Sequence, residues 1–305
     1  MARRTFGWIR DEPDDRDVRY FASPIVTAAL PDEVSGKAKS TVPAFNQQTI
    51  GCCGPNAIGR DILFDAMLSL VTPDIMPSRM QIYWCTRAMM GTIYQDSGVS
   101  IRTMFKSLAV DGWCDERLWP YIPSKLTVRP SDEALADAKT RKLGSYQRVY
   151  QQIDQMCGCL ASDDPFVAGF MVKPSFLTPQ VEQTGDVLMP QPGEQTIGGH
   201  AILITGYSMR DKMFEFCNSY GPGWGNQGWG RIPFAYLLDP NLSSDFWTAR
   251  WATHDPAPQP VPPAPTPPGP IGEEVWDLMW ANWSMHASGP GTIRRNGKLQ
   301  KVSDA

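Results

Sequence analysis
The chain has 305 residues, with 28 Lys and Arg set against 32 Asp and Glu, a formal net charge of −4. That balance excludes binding to nucleic acid by charge alone, and 42% apolar against 20% charged residues excludes a wholly disordered chain. No apolar run approaches the roughly 20 residues of a membrane span, so no membrane partner is expected.

In chain order, residues 1–40 read as an arm that packs on the body. Their basic start, Met-Ala-Arg-Arg, has no apolar stretch behind it, so a secretory leader is not expected. A helix begins at Cys53: Pro55 suits a first turn, and Ile58, Ile62, Leu63, Ala66, Met67 and Leu70 recur at helical spacing up to Pro73. A short amphipathic helix is predicted over Ser100–Ala109 and a polar, Ala-rich one over Asp132–Lys142. Then the character changes. Phe166–Val172, Ala201–Tyr207 and Met213–Cys217 are β-type runs bounded by Gly, Pro and Asp. Helices first and strands second imply an α+β body of two lobes spanning 41–253. Nine of the sixteen residues of Asp255–Pro270 are Pro, which marks a linker over 254–271. As polyproline II it would span roughly 50 Å. A tail, 272–305, follows it.

The seven cysteines are an odd number and read as reduced thiols. Cys52-Cys53 and Cys157-Gly-Cys159 lack the paired spacing of structural zinc sites, so neither a metal nor a cofactor is expected. Cys53 stands out because a thiol at a helix N-terminus sees unpaired N–H groups and the positive dipole end, which favours the thiolate. With only three histidines, the base must be His200, His254 or His286. His200 opens the run Gly198–Tyr207, and Met213–Asn218 returns after a polar turn. A turn centred near Met209 sets His200 beside Asn218 in the hairpin, where a neutral amide can orient the imidazole. Cys, His and Asn in that order are the parts of a thiol acyl-transfer site. His254 and His286 have no such partners and read as structural.

Three blocks, NQQTIGCCGPNA (Asn46–Ala57), GGHAILITGY (Gly198–Tyr207) and NSYGPGWGNQGWGRI (Asn218–Ile232), resemble the active-site blocks of papain-like cysteine peptidases, in particular the prokaryotic and phage branch. Members of that branch also begin with a stretch like Gly7, Trp8, Asp11, Pro13, Asp14, Arg16, Asp17 and Tyr20. The resemblance covers roughly Phe6 to Trp251. It implies a two-lobed fold with a helical lobe and an antiparallel β-barrel-like lobe, and an endopeptidase acting on protein or peptide substrates. Carried over, Cys53 is the nucleophile and His200 the general base and then acid. Asn218 orients His200, and Gln47 donates to the oxyanion. Trp224 shields the His–Asn contact, and Gly198 and Gly199 let a substrate backbone pass close. Gly54 stands where papain has Trp, and Tyr220 replaces the Trp of the NSW block. The six-residue spacing from Gln47 favours Cys53 over Cys52. The segment ahead of the first block, about forty residues, is too short for the long inhibitory propeptide of secreted relatives.

In the tail, Trp276, Trp280 and Trp283 form one apolar stripe if helical, suited either to docking on the body or to anchoring in a partner protein. Arg294, Arg295, Lys298 and Lys301 read as a solvated basic strand or tail. The alternative function is therefore a structural or assembly component, such as a phage virion protein, that keeps the fold and attaches through its tail. The expected setting is cytoplasmic or virion-associated. Transamidation and peptidoglycan cleavage rank behind both, since peptidoglycan peptidases of related fold usually lack the NSYGPGWG-type block.

Overall fold
The computed structural model describes residues 5–40, 44–68, 75–251, 292–295 and 298–301. The arm carries β1 (Trp8–Ile9), β2 (Arg19–Tyr20), the short helix α1 (Pro24–Ala28) and β3 (Glu33–Val34). A helical lobe follows, with α2 (Cys53–Leu68), α3 (Arg79–Met90), β4 (Val99–Ser100), α4 (Ile101–Val110) and α5 (Asp132–Ala138). The remainder is mostly strand. It comprises β5 (Leu143–Val149), α6 (Ile153–Ala161), β6 (Phe166–Val172), α7 (Pro179–Thr184), β7 (Gly198–Ser208), β8 (Met213–Cys217), β9 (Trp229–Pro233), α8 (Phe234–Leu238) and β10 (Ser243–Trp251). These elements belong to one unit, Met1–Asp255. A second unit, Pro256–Ala305, contains an antiparallel pair, β11 (Thr292–Arg295) and β12 (Lys298–Lys301), which includes the basic residues of the tail. The Pro-rich linker, Trp276, Trp280, Trp283, His254 and His286 lie outside the described residues.

The body is α+β, as expected, but its sheet is open rather than barrel-like. Its strands run β2-β5-β10-β6-β7-β8-β9, with β3 added onto β7. All pairings are antiparallel except β2 with β5, so the arm makes the sheet mixed. Closure is not needed to hide an apolar face, because both faces are covered. Phe166, Ala168 and Phe170 of β6 join Ile202 and Ile204 of β7 in one cluster; Val167, Ala201 and Leu203 join Ile58, Ile62, Met104 and Leu108 in another. That alternation is the two-residue period of a strand buried on both sides. A third cluster, including Ile50, Cys52, Met80, Tyr83 and Ala134, closes the helical lobe.

Helix α2 lies between the lobes, with every residue from Cys53 to Phe64 buried. Helix α3, which hydrophobic periodicity does not announce, is fixed at its ends. Ser78 accepts from the Gln81 N–H at 3.2 Å, and Gly91 terminates it with φ +72°. Helix α5 stops at Ala138, short of the expected Lys142, because the chain must turn into β5 at Leu143.

The arm is tied in by a buried polar knot. In β10 the register shifts between Ser244 and Trp247, and Asp245 takes φ +61°, a conformation Asp tolerates better than most residues. Its carboxylate accepts from the Trp8 indole N–H at 3.1 Å, the Asp11 backbone N–H at 2.7 Å and Arg148 at 2.9 Å. Asp11 in turn accepts from the Trp247 indole N–H at 2.8 Å and the Arg102 backbone N–H at 3.1 Å. Asp17 takes a two-pronged Arg102 contact at 2.7 and 2.8 Å, and Arg148 at 3.1 Å. The arm is thereby bonded to β5, β10 and α4 together.

Removing one partner of a buried charge pair leaves the other unpaired. Asp245→Ala should therefore lower unfolding free energy by about 3–5 kcal/mol in urea titration, with Asp245→Asn losing less. Burial, with the neighbouring Asp245 carboxylate adding to it, pushes Asp11 up to about 6 from its ordinary 3.8. A raised acid pKa means the folded state binds the extra proton. Stability from this group is present at low pH and falls as pH rises through about 6, with a slope of up to about 1.4 kcal/mol per pH unit. Denaturant titrations from pH 5 to pH 8 should show this dependence in the wild type and a flatter one in Asp11→Asn.

Candidate active site
The loop that leads into α2 is stitched to the loop that leaves β8. The Gln47 N–H donates to the Ser219 carbonyl at 2.8 Å, and the Gly221 N–H donates to the Phe45 carbonyl at 2.8 Å. Asn46 and Tyr220 form an isolated antiparallel bridge. Gln47 is buried, and its Oε1 accepts from the Ser219 hydroxyl at 2.6 Å. That bond fixes the amide orientation and aims Nε2 the other way. Nε2 donates to the Ile50 and Thr5 carbonyls, each at 2.9 Å. Ser219 was not singled out from sequence; its place beside Asn218 in the third block is the signal that could have found it.

His200 Nε2 and Asn218 Oδ1 are 2.9 Å apart. The Ser219 backbone N–H also donates to that Oδ1 at 2.8 Å. Two groups converging on one atom identify it as the amide oxygen, so the imidazole proton sits on Nε2 and Nδ1 has the lone pair. The hairpin reaches this contact by a register other than the expected one. The turn lies at residues 209–212, Leu203 pairs Cys217, and a shift separates Ile204 from Gly206. One more step of that ladder would set Asn218 opposite Ile202. Positions 200 and 202 share a face, so Asn218 meets His200 diagonally instead of directly.

The imidazole is walled by aromatic rings. Tyr220 stacks on it at 5.0 Å and 25°, while Phe170 and Phe6 stand edge-on at 5.6 and 6.4 Å. Trp224 is buried one layer further out, against Tyr220, Phe176 and Phe216. The ring in direct contact is thus Tyr220, the residue that replaces the Trp of the NSW block.

Cys53 begins α2 and packs in the cluster with Trp8, Ala201 and Leu203. Cys52, adjacent in sequence, points into the helical-lobe cluster instead, where burial holds its thiol far above the ordinary range. The two thiols therefore belong to different environments, and only Cys53 faces the β7 strand. Its pKa is pushed up to about 11 by burial, against the opposing effect of backbone N–H groups from Ala201 and Gly7. The lowering expected from the helix N-terminus is outweighed because the site is shut: both Cys53 and His200 are 0% exposed. Gly54, where papain has Trp, has no room for a large side chain, since a Cβ there would lie 3.2 Å from Val99 and 3.3 Å from Met104.

The space over Gly198 and Gly199 holds the chain's own arm. A Cβ at Gly198 would meet the Phe6 ring at 2.5 Å, and one at Gly199 the Trp8 carbonyl oxygen at 2.6 Å. The seven cysteines are free and buried; Cys157 and Cys159 are core residues of α6. Among the described residues no cluster of His, Cys, Asp and Glu could hold a metal, and no helix is long and apolar enough to cross a membrane.

No family model matches the chain. It is 35% identical, over 295 residues, to an uncharacterized peptidase C1-like protein of Acanthamoeba polyphaga mimivirus, covering 89% of this chain and 94% of that one. It superposes on the crystal structure of xylellain, a cysteine protease from Xylella fastidiosa, with TM-score 0.76 and 33% identity, over 82% of this chain and 98% of that one. A procathepsin B from Trypanosoma congolense matches at TM-score 0.65 and 13% identity, over 81% and 86% of the two chains, a likeness of fold alone. The blocks around Cys53, His200 and Asn218, folded together at the seam of two lobes, thus have a family: the chain belongs to the papain-like cysteine peptidases, with relatives in a bacterium and a virus.

Proposed function
We propose that the chain is an endopeptidase that cleaves peptide bonds through a thioester on Cys53, with His200, Asn218 and Gln47 as its partners. The observation that carries this reading is the Asn218 Oδ1 contact to His200 Nε2, because it leaves Nδ1 as the basic nitrogen.

The Cys53 thiol gives its proton to His200 Nδ1, and the sulfur attacks the scissile carbonyl carbon. The carbonyl oxygen becomes an oxyanion and accepts from Gln47 Nε2, whose direction the Ser219 hydroxyl sets. The C–N bond breaks, and the leaving amine takes the proton from His200. Water then attacks the thioester carbon, losing its proton to Nδ1; the C–S bond breaks, the acid product leaves, and the Cys53 thiolate takes the proton back from His200. Asn218 is neutral, so it holds the ring through both proton transfers without competing for the proton. The Tyr220 face and the rings around it exclude water from the His200–Asn218 bond, which strengthens it. A protein or peptide is the substrate class this chemistry takes.

Cys53→Ala should abolish hydrolysis of fluorogenic peptides and covalent labelling by an epoxide thiol inhibitor, with circular dichroism unchanged. Retained turnover in that variant would overturn the assignment. Asn218→Ala should lower kcat roughly tenfold or more, a part of the 10²–10⁴ that a positioned acid–base supplies, with KM nearly constant. Steady-state kinetics on one peptide series separates the two parameters.

A further inference from the structure
We propose that Asp96 is a positioning residue for the oxyanion donor Gln47, acting through the peptide unit that joins Ile50 to Gly51. The proposal rests on the peptidase reading above and adds to it a residue outside the catalytic set.

The Ile50–Gly51 peptide is held at both of its polar groups. Its carbonyl accepts from Gln47 Nε2 at 2.9 Å and from the Cys52 N–H at 2.8 Å. Its N–H donates to Asp96, at 3.0 Å from each carboxylate oxygen. A peptide unit is planar and trans, so its N–H and C=O point in opposite directions. Whatever fixes the N–H therefore aims the carbonyl as well. Gln47 Nε2 has two hydrogens. With Oε1 held by Ser219 and one hydrogen taken by Ile50, the direction of the other is set, and that is the hydrogen the oxyanion would use. Asp96 thus holds one end of a rigid unit whose other end aims the oxyanion donor. Gly51 is buried, so its N–H has no solvent to turn to and needs an acceptor from the protein. A carboxylate is a strong one, because the bond is charge-assisted. The contact is close: a Cβ at Gly51 would lie 3.2 Å from Asp96 Oδ1.

Asp96 is itself fixed by α3. The Tyr83 hydroxyl donates to Asp96 Oδ1 at 2.5 Å and accepts from the Gly98 N–H at 3.0 Å. One turn later, Arg87 lays its guanidinium over the Tyr83 ring, 4.1 Å from its centroid. Arg87 also donates to the carbonyls of Ile93 and Gln95, at 3.1 and 2.9 Å. Tyr83 and Arg87 are both 0% exposed. Two buried side chains of one helix therefore fix the backbone on either side of Asp96 as well as its carboxylate. The carboxylate comes to Gly51 already ordered, so little side-chain entropy offsets the bond. Tyr83 and Asp96 together link the loop that leads into Cys53 with the loop that leads into β4. Asp96 is nevertheless an exposed residue, unlike Asp11 and Asp245, so replacing it opens no cavity in the core. Its effect is carried by the direction of a bond and not by packing.

The test is steady-state kinetics on one fluorogenic peptide, using the full chain as wild type, Asp96→Ala, Gln47→Ala and the double variant. Asp96→Ala should lower kcat by about tenfold, a part of the 10²–10³ that one oxyanion donor supplies, with KM nearly constant. The same substitution in the Gln47→Ala background should change kcat by less than about twofold, because the donor it acts on is gone. Alkylation of Cys53 by iodoacetamide forms no oxyanion and should proceed at the wild-type rate in Asp96→Ala. A wild-type kcat in Asp96→Ala would overturn the proposal. So would an equal loss in both backgrounds, or a parallel loss in alkylation. A wild type that cleaves no peptide would overturn the peptidase reading instead, and this role with it. If Asp96→Ala loses its fold by circular dichroism, Asp96→Asn takes its place in the same cycle. That variant keeps a neutral acceptor for the Gly51 N–H and should lose about threefold in kcat, again only with Gln47 present.

Discussion

The buried Asp245 carboxylate governs how the N-terminal arm joins the two lobes. A negative charge in the core must be matched by donors, and this one draws its donors from the N-terminal arm and β5: the Trp8 indole, the Asp11 amide and Arg148. The left-handed turn of the backbone at Asp245, in the bulge of β10, is what aims the carboxylate at the arm. With Trp8 held there, β1 is compelled to run along the seam between the lobes, paired to β4 of the helical lobe and lying over Gly199 of β7. The position of the arm over the active site is therefore a consequence of charge satisfaction some distance from the nucleophile.

The same seam explains why the site is well formed and yet closed. Its alignment comes from backbone bonds between the Gln47 loop and the Ser219 loop, which do not involve the arm. The arm covers it through Thr5, Phe6 and Gly7, of which Thr5 also takes part in the aligned set, its carbonyl accepting from Gln47 Nε2. Burial is also the dominant cause of the raised Cys53 pKa, opposed by backbone N–H groups of Ala201, Gly7 and the first turn of α2.

Much of this was legible in the sequence, because the chemistry uses residue types with few copies. With three histidines, His200 was exposed by its strand and by Asn218, and Cys53 by the helix it begins. The strands Phe166–Val172 and Met213–Cys217 begin and end where the sequence bounds them: the first is an unbroken apolar run buried on both faces, and the second alternates, with Met213 and Glu215 half-buried between buried neighbours. The hairpin register was not legible. The shift between Ile204 and Gly206 is a bulge, and pairing by constant sum has no means of counting one. Helix α3 was hidden for a different reason. Arg79, Gln81 and Arg87 are buried polar residues whose partners lie on other segments, so the polar and apolar faces do not separate. Arg79 reaches Glu116 and Arg87 the Leu126 carbonyl, contacts of tertiary origin that no short window of sequence contains. In the sequence the glycines at 198 and 199 leave room for a substrate backbone; in the structure Phe6 and Trp8 fill that room.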